Sequence, residues 1–210
     1  MKTTIAAVAI AILVSVSGWF GYDAYSTKQR VDALHPHVKL VSLHLISILD
    51  VEGRSSNMTM GEFYAKMAAS VAELDKSLLQ VRNLATQNNK TTSDGVLHYI
   101  ENGQSIIRDI SKYYSSYTQL KSLYKVADLA IEEAKQTDSL GRYARESTDK
   151  YVAKLDEAII EEKDALKAIV KAMPTKVLYL KAQSAWAGKI FGEDVVVPDE
   201  VWDYLAKRFR

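Results

Sequence analysis

Apolar residues recur at alternating spacings of three and four along most of the chain after residue 30. This spacing places them on one face of a helix, which can then pack against other helices along a line of contact, or seam. The repeat runs through four stretches, and polar loops at residues 52–57 and 87–92 interrupt it. Flanking apolar residues widen the stripes, which favours a globular bundle over a two-stranded coiled coil. The sequence predicts an all-α fold with an elongated antiparallel four-helix bundle over residues 31–173.

The four predicted seams define the expected core between the helices. The first comprises Val31, Leu34, Val38, Val41, Leu45 and Ile48. The second comprises Tyr64, Met67, Val71, Leu74, Leu78, Val81 and Ala85. The third comprises Tyr99, Gly103, Ile106, Ile110, Tyr113, Tyr117, Leu120, Tyr124, Ala127, Ile131 and Ala134. The fourth comprises Val152, Leu155, Ile159, Glu162, Leu166, Ile169 and Met173.

Several residues predict where these helices begin and end. Thr59 followed by Glu62 has the spacing of a capping box, which marks a helix start. Pro174 is expected to end the fourth helix, because a residue before proline is disfavoured in helical geometry. Residues 174–210 are then predicted to form two short C-terminal helices, at residues 176–190 and 199–209. Pro36 lies inside the first seam and predicts a kink or a break there.

The third and fourth seams allow two interpretations of residues 136–141. Continuing the spacing of the third seam leads in register to Val152, so a single helix from about residue 94 to residue 173 is one possibility. The other is a hairpin turn within residues 136–141. The hairpin is favoured, because consecutive polar or glycine positions do not hold a seam together.

Residues 3–22 form an uncharged apolar run close to the start of the sequence. Twenty helical residues span about 30 Å, the thickness of a bilayer hydrocarbon core. The run resembles an uncleaved anchor, because the aromatic residues that follow Gly18 are typical of a membrane interface. These residues are Trp19, Phe20, Tyr22 and Tyr25. A cleaved signal peptide ending near residues 16–18 and a buried core helix are the alternatives.

Residues 1–30 are therefore assigned as a signal-anchor or transmembrane segment with its juxtamembrane stretch. The very short N-terminal tail resembles an export signal, which favours an exported domain, periplasmic or extracellular. Basic residues after the run favour the opposite orientation. They are Lys28, Arg30 and Lys39.

The composition excludes several kinds of chemistry. The chain has no cysteine, which rules out disulfides, thiol catalysis and cysteine metal sites. Its net charge of +1 gives no bulk attraction to nucleic acid. The four histidines lack the HExxH and paired Glu-x-x-His patterns of metal sites, and no phosphate loop or nucleophile elbow occurs. We expect no catalytic residue, metal or cofactor, and thus a protein that is not an enzyme.

Five residues are candidate contacts for a ligand or partner. Tyr113, Tyr117 and Tyr124 give the third helix a tyrosine-rich face, expected either to pack with hydroxyls at the bundle surface or to line a ligand cleft. Glu162 is the one charged residue on an apolar seam, and a buried carboxylate needs a partner or a proton. Trp202 lies on the apolar face of the last helix, which is expected to dock across the bundle or to bind a partner.

These observations lead to one main functional hypothesis. The chain is expected to be a membrane-anchored, non-catalytic helical bundle that binds a protein at the cell envelope, either a different protein or further copies of itself. One alternative is an exported ligand-sensing bundle. Another is a secreted helical toxin or pore former, if the N-terminal segment is cleaved.

Overall fold

A computed structural model of the chain describes residues 28–48, 59–85, 90–137 and 142–209. Within these ranges the chain forms helices and no strand, which confirms the all-α prediction. Five α-helices are labelled α1 to α5 in chain order: α1 (residues 28–48), α2 (Met60–Ala85), α3 (Lys90–Thr137), α4 (Arg142–Phe191) and α5 (Asp199–Arg208). A short 3-10 helix, Glu193–Val195, separates α4 from α5.

The predicted membrane segment, residues 3–22, lies outside the described residues, as do Trp19, Phe20, Tyr22 and Tyr25. Among the helices that are described, none has both the length and the apolar character needed to cross a bilayer. The membrane assignment therefore stays a prediction.

The start of α2 is stabilised by the predicted capping box. The Thr59 amide donates a hydrogen bond to Glu62 Oε2 over 2.7 Å, and the Glu62 amide donates to Thr59 Oγ1 over 3.2 Å. These bonds satisfy donors that a helix start otherwise leaves free. The hydrogen bonds that the Thr59 amide and the Thr59 hydroxyl donate to Glu62 Oε2 lower the pKa of the Glu62 carboxyl. The predicted helix start is confirmed.

Helix α1 packs against α2 and α3, and Gly103 lies at the crossing with α3. A Cβ atom on Gly103 would lie 2.6 Å from Cγ1 of Val41, so the glycine provides room for α1. The His37 imidazole contacts Ser77 Oγ at 2.9 Å, which ties α1 to the C-terminal half of α2. Residues 28–48 form one uninterrupted helix, so Pro36 does not break it.

Helices α3 and α4 are antiparallel. The Asn102 side-chain amide donates to Gln183 Oε1 over 3.0 Å near one end, and Lys163 lies over the Tyr124 ring toward the other end. The chain leaves α3 at Thr137 and enters α4 at Arg142. The predicted hairpin is therefore confirmed, and the single continuous helix is wrong.

The prediction that Pro174 ends the fourth helix is wrong. Helix α4 continues through Pro174 to Phe191, so the first of the two predicted C-terminal helices is part of α4. A proline within a helix removes one hydrogen bond, here the one to the Val170 carbonyl. Met173 and Val177, on either side of it, are buried in the core. Their packing holds the helix together across the proline.

The chain reverses after α4, and α5 then packs back along it. Gly192 makes this turn possible, because its φ of 109° is a conformation that other residues rarely adopt. Asp199, at the start of α5, accepts a hydrogen bond from Lys181 Nζ over 2.8 Å. Phe209, just past the end of α5, contacts the Tyr113 ring with centroids 5.0 Å apart. The last predicted helix, residues 199–209, is thus confirmed to within one residue.

The core lies where the helices pack together, and it contains most residues of the first two predicted seams. The fully buried large side chains include Leu45, Ile48, Met67, Leu74, Tyr99, Ile100, Ile106, Ile107, Ile110, Met173, Leu180 and Phe209. The C-terminal segment belongs to the same core through Val195, Val197, Val201, Trp202 and Leu205. The body of the molecule is therefore stabilised by apolar packing.

The helices differ greatly in length, and this sets the shape. Helices α3 and α4 have 48 and 50 residues, whereas α2 has 26. Near the start of α2, the Phe63 ring contacts the Tyr114 ring with centroids 4.9 Å apart. At 1.5 Å per residue, the α3–α4 pair extends about 35 Å past this point. We call residues 115–137 and 142–168 the arm, and the remaining described residues the body.

Gly103→Ala tests the close helix crossing. Overpacking typically costs about 1–3 kcal/mol, and alanine in a helix gains back up to about 1 kcal/mol. We expect the free energy of unfolding to fall by about 1 kcal/mol, measured by thermal unfolding followed by circular dichroism. Gly61→Ala is the matched control, because its Cβ would lie 3.9 Å from the nearest atom, Thr59 Oγ1. Equal effects of the two substitutions would contradict the tight crossing.

Pro174→Ala tests the cost of the proline within α4. The Pro174 side chain is exposed, so alanine restores the missing hydrogen bond without removing core packing. We expect the free energy of unfolding to rise by about 1–3 kcal/mol. A lower unfolding temperature in circular dichroism would show instead that the proline ring stabilises α4.

Candidate protein-binding surface

The inner face of the arm differs from the predicted third seam. Ser116 and Ala130 are buried against α4, with exposed fractions of 6% and 4%. The predicted seam residues Tyr117 and Ile131, each one position later, lie outside. Small side chains at the inner positions allow α4 to pack close, which leaves the larger neighbours on the flank. On α4 the predicted seam is confirmed, since Leu155, Ile159, Ile169 and Met173 are buried.

Three of the four large apolar side chains that α3 exposes in the arm lie along one flank. Tyr117, Tyr124 and Ile131 are 53%, 42% and 44% exposed. Their spacing of seven residues places them on one face, about 10.5 Å apart. We call these three residues the arm stripe. The prediction that Tyr117 and Tyr124 lie on a core face is therefore wrong, whereas it is right for Tyr99, which is fully buried.

The arm stripe begins where α5 ends. Tyr113 is half-buried, and its ring stacks on that of Tyr117 with centroids 6.4 Å apart and an angle of 11° between the planes. The same Tyr113 ring contacts Phe209. The Arg208 guanidinium lies 5.9 Å from the Tyr113 centroid, a cation–π distance. The stripe thus continues a surface that α5 covers on the body.

Charged groups of both signs border the arm stripe. Lys163 Nζ lies 5.2 Å from the Tyr124 ring centroid, which links α4 to the stripe. On α3, three exposed charged residues also recur at a spacing of seven, namely Lys121, Asp128 and Lys135. Near the arm tip, Ile131 lines an open groove together with Lys135, Asp149, Val152 and Asp156. The stripe is therefore an apolar strip between charges of mixed sign.

Glu162 lies in the arm, on the α4 seam. It is half-buried, and its Oε2 atom is buried without a hydrogen-bond partner among the described residues. Because Lys163 is the next residue, Glu162 lies at the same level of the arm as Tyr124. A buried carboxylate oxygen without a partner is costly. Glu162 therefore adds a half-buried carboxyl group to the polar side chains beside Tyr124.

Trp202 lies away from this surface. Its side chain is 3% exposed, and its indole N–H donates to the Val197 carbonyl over 3.1 Å. The structure thus agrees with the docked interpretation of the last helix, in which Trp202 packs in the core. It is not on an accessible surface of the described residues.

Sequence reasoning missed the charged residues that border the stripe. Lys121, Asp128 and Lys135 share the seven-residue period of Tyr117 and Tyr124, and this shared period was the available signal. Charges on a helix are ordinarily solvated, so the period alone does not identify a binding surface. The binding surface can be identified only from the structure, which places Tyr117 and Tyr124 outside the core.

Two of the histidines of α1, His37 and His44, face α2. His44 Nε2 lies 3.0 Å from a Glu73 carboxylate oxygen, and His37 contacts Ser77. Burial lowers the pKa of His37; it also lowers that of His44, where the Glu73 carboxylate opposes the shift. In the described ranges, no group of three or more His, Asp or Glu side chains is placed to hold a metal ion.

Comparison with protein-family models, curated proteins and solved structures finds no match for this chain. The function proposed below is therefore inferred from the chain's own residues. The arm stripe and the groups beside it are the features on which it depends.

The lowered pKa values of His37 and His44 predict a loss of stability on mild acidification. In the unfolded chain a histidine has a pKa near 6.5, so below about pH 6.5 the unfolded state binds more protons than the folded state. We expect the thermal unfolding temperature to fall between pH 7 and pH 5.5.

The double variant His37→Gln, His44→Gln should show a smaller decrease over the same range. His98→Gln is the control, because the His98 side chain is 67% exposed. Asp194 does not contribute in this window, since hydrogen bonds from Lys39 and His35 lower its pKa to about 2. An unchanged pH dependence in the double variant would contradict the assignment.

Proposed function

We propose that this chain is a non-catalytic, membrane-anchored helical protein whose arm stripe binds another protein chain at the cell envelope. The observation that carries the proposal is the exposure of Tyr117, Tyr124 and Ile131 on a projecting pair of helices. Two packed helices leave apolar flanks in water that a four-helix bundle would bury.

The spacing of the stripe favours a helical partner. Side chains seven residues apart repeat with the period at which packed helices meet, and an amphipathic helix presents its own apolar residues at the same period. Tyrosine is also enriched at protein interfaces, because it combines a large apolar ring with a hydroxyl that tolerates water. Tyr117 and Tyr124 fit this role, and Ile131 extends the apolar surface toward the tip.

The non-catalytic part of the proposal rests on the sequence. It contains no cysteine nucleophile, no phosphate-binding loop and no HExxH metal motif. The polar groups around the stripe are lysines, aspartates and Glu162. They suit recognition by charge and hydrogen bonding.

The membrane part of the proposal rests on residues 3–22, and the fold indicates an orientation for the arm. His35, near the start of α1, contacts Asp194 Oδ1 at 3.0 Å, just after the end of α4. That end of α4 is opposite to the end at which the arm projects. An anchor that leads into α1 would hold the body at the membrane and direct the arm away from it.

Photo-crosslinking tests this function. Tyr124 is replaced by a photoreactive phenylalanine analogue in the full chain, expressed in cells of the source organism. We expect a discrete protein adduct in the membrane fraction after illumination. The matched control is the same replacement at Tyr179, which is 58% exposed but lies in the body. The proposal fails if Tyr124 gives no adduct, or the same adducts in the same yield as Tyr179.

A further inference from the structure

We propose that the arm stripe binds the arm stripe of a second copy of this chain, antiparallel to the first, with a two-fold axis passing close to Tyr124. This inference rests on the proposed function, since it names the chain that the stripe binds. Two arms of two helices each then form an intermolecular four-helix bundle.

The stripe is symmetric about its central residue. Tyr117 precedes Tyr124 by seven residues, and Ile131 follows it by seven. In an antiparallel pair centred on Tyr124, that residue faces its own copy. Tyr117 then faces Ile131 of the second copy, and the reverse contact follows by symmetry. All three exposed apolar side chains of the stripe are covered in this single register.

The charges on α3 fit the same register. Lys121 lies three residues before Tyr124, and Asp128 lies four residues after it. The antiparallel arrangement therefore brings Lys121 to within one residue, about 1.5 Å along the helix, of the level of Asp128 of the second copy, and the symmetry repeats the pair. A parallel arrangement in register would place lysine opposite lysine and aspartate opposite aspartate, which is unfavourable.

Helix α4 carries a third pairing at the same level. Because Lys163 contacts the Tyr124 ring, the axis passes beside Lys163 and Glu162. The rotation brings Lys163 of one copy to the level of Glu162 of the other. Glu162 is half-buried and Lys163 is exposed, and their opposite charges make this contact between the two copies favourable.

The size of the arm suits a stable dimer. Two helices side by side are about 20 Å wide, and the arm is about 35 Å long, so one face has an area of about 700 Å². Covering that face on both copies buries about 1,400 Å² in total, within the range of specific protein interfaces. A single helix laid on the stripe would cover only about half of this face.

Cysteine crosslinking tests the pairing and its register. Because the natural chain has no cysteine, any disulfide must join the introduced positions. Lys121→Cys and Asp128→Cys are prepared as two full-length chains with different tags, mixed and oxidised. We expect a disulfide between Cys-substituted positions 121 and 128 of different chains, because a disulfide requires Cα atoms within about 7 Å. Leu178→Cys, at a residue 71% exposed in the body, is the control and should give no dimer.

The outcomes separate this inference from the proposed function. Crosslinks of position 121 to position 121 in preference to 128 would overturn the antiparallel register. Absence of any disulfide dimer, together with a photo-adduct from position 124 to a different protein, would overturn self-association and leave the proposed function intact. Absence of both would overturn both.

A second measurement tests the interface without cysteines. Tyr124→Lys places two lysines together at the axis, and we expect the dimer dissociation constant in sedimentation of the full chain to rise at least about tenfold. Leu178→Lys should leave it unchanged. Circular dichroism of both variants checks that the fold is retained, since both positions are exposed. An unchanged dissociation constant for Tyr124→Lys would contradict the proposal.

Discussion

Helices α3 and α4 pair along their length, and α2, which packs beside them, is about half as long. This inequality decides where the chain has a full core and where it does not. Within residues 96–110 of α3, all the large apolar side chains except Leu97 are buried, most of them fully. Beyond Tyr114, α3 and α4 cover only one side of each other. The arm, its exposed tyrosines and the proposed interface all follow from that difference in length.

Within the arm, side-chain size decides which residues lie inside. Two sets of residues continue the third seam equally well by spacing, and they differ by one position. The inner set contains Ser116 and Ala130, whereas the outer set contains Tyr117 and Ile131. Small inner residues allow the helices to approach, and the large residues then stand on the flank. The Lys163 ammonium group lies over the exposed Tyr124 ring and partly covers it.

The body and the arm have different roles in the proposed function. The body is stabilised by the buried side chains of Trp202 in α5 and of Phe209 just after it, and by polar contacts such as that of His35 with Asp194. It contacts the base of the arm at the junction, where the Tyr113 ring packs against Phe209. Among the described residues no third helix packs on the arm in this way, and its apolar flank is exposed. A stable base and an uncovered extension are what a helical docking element requires.

The sequence alone determined the helical class, the capping box at Thr59, the hairpin between α3 and α4, and the seam of α4, because these depend on local periodicity and on chemistry within a few residues. Tertiary structure decided the rest. Pro174 is tolerated because Met173 and Val177 are held in the core on either side, which local rules do not register. Tyr117 and Tyr124 lie outside because the neighbouring small residues allow closer packing and no described helix covers the arm flank. A seven-residue period indicates that residues share one face of a helix. Whether that face is buried depends on how the helices pack.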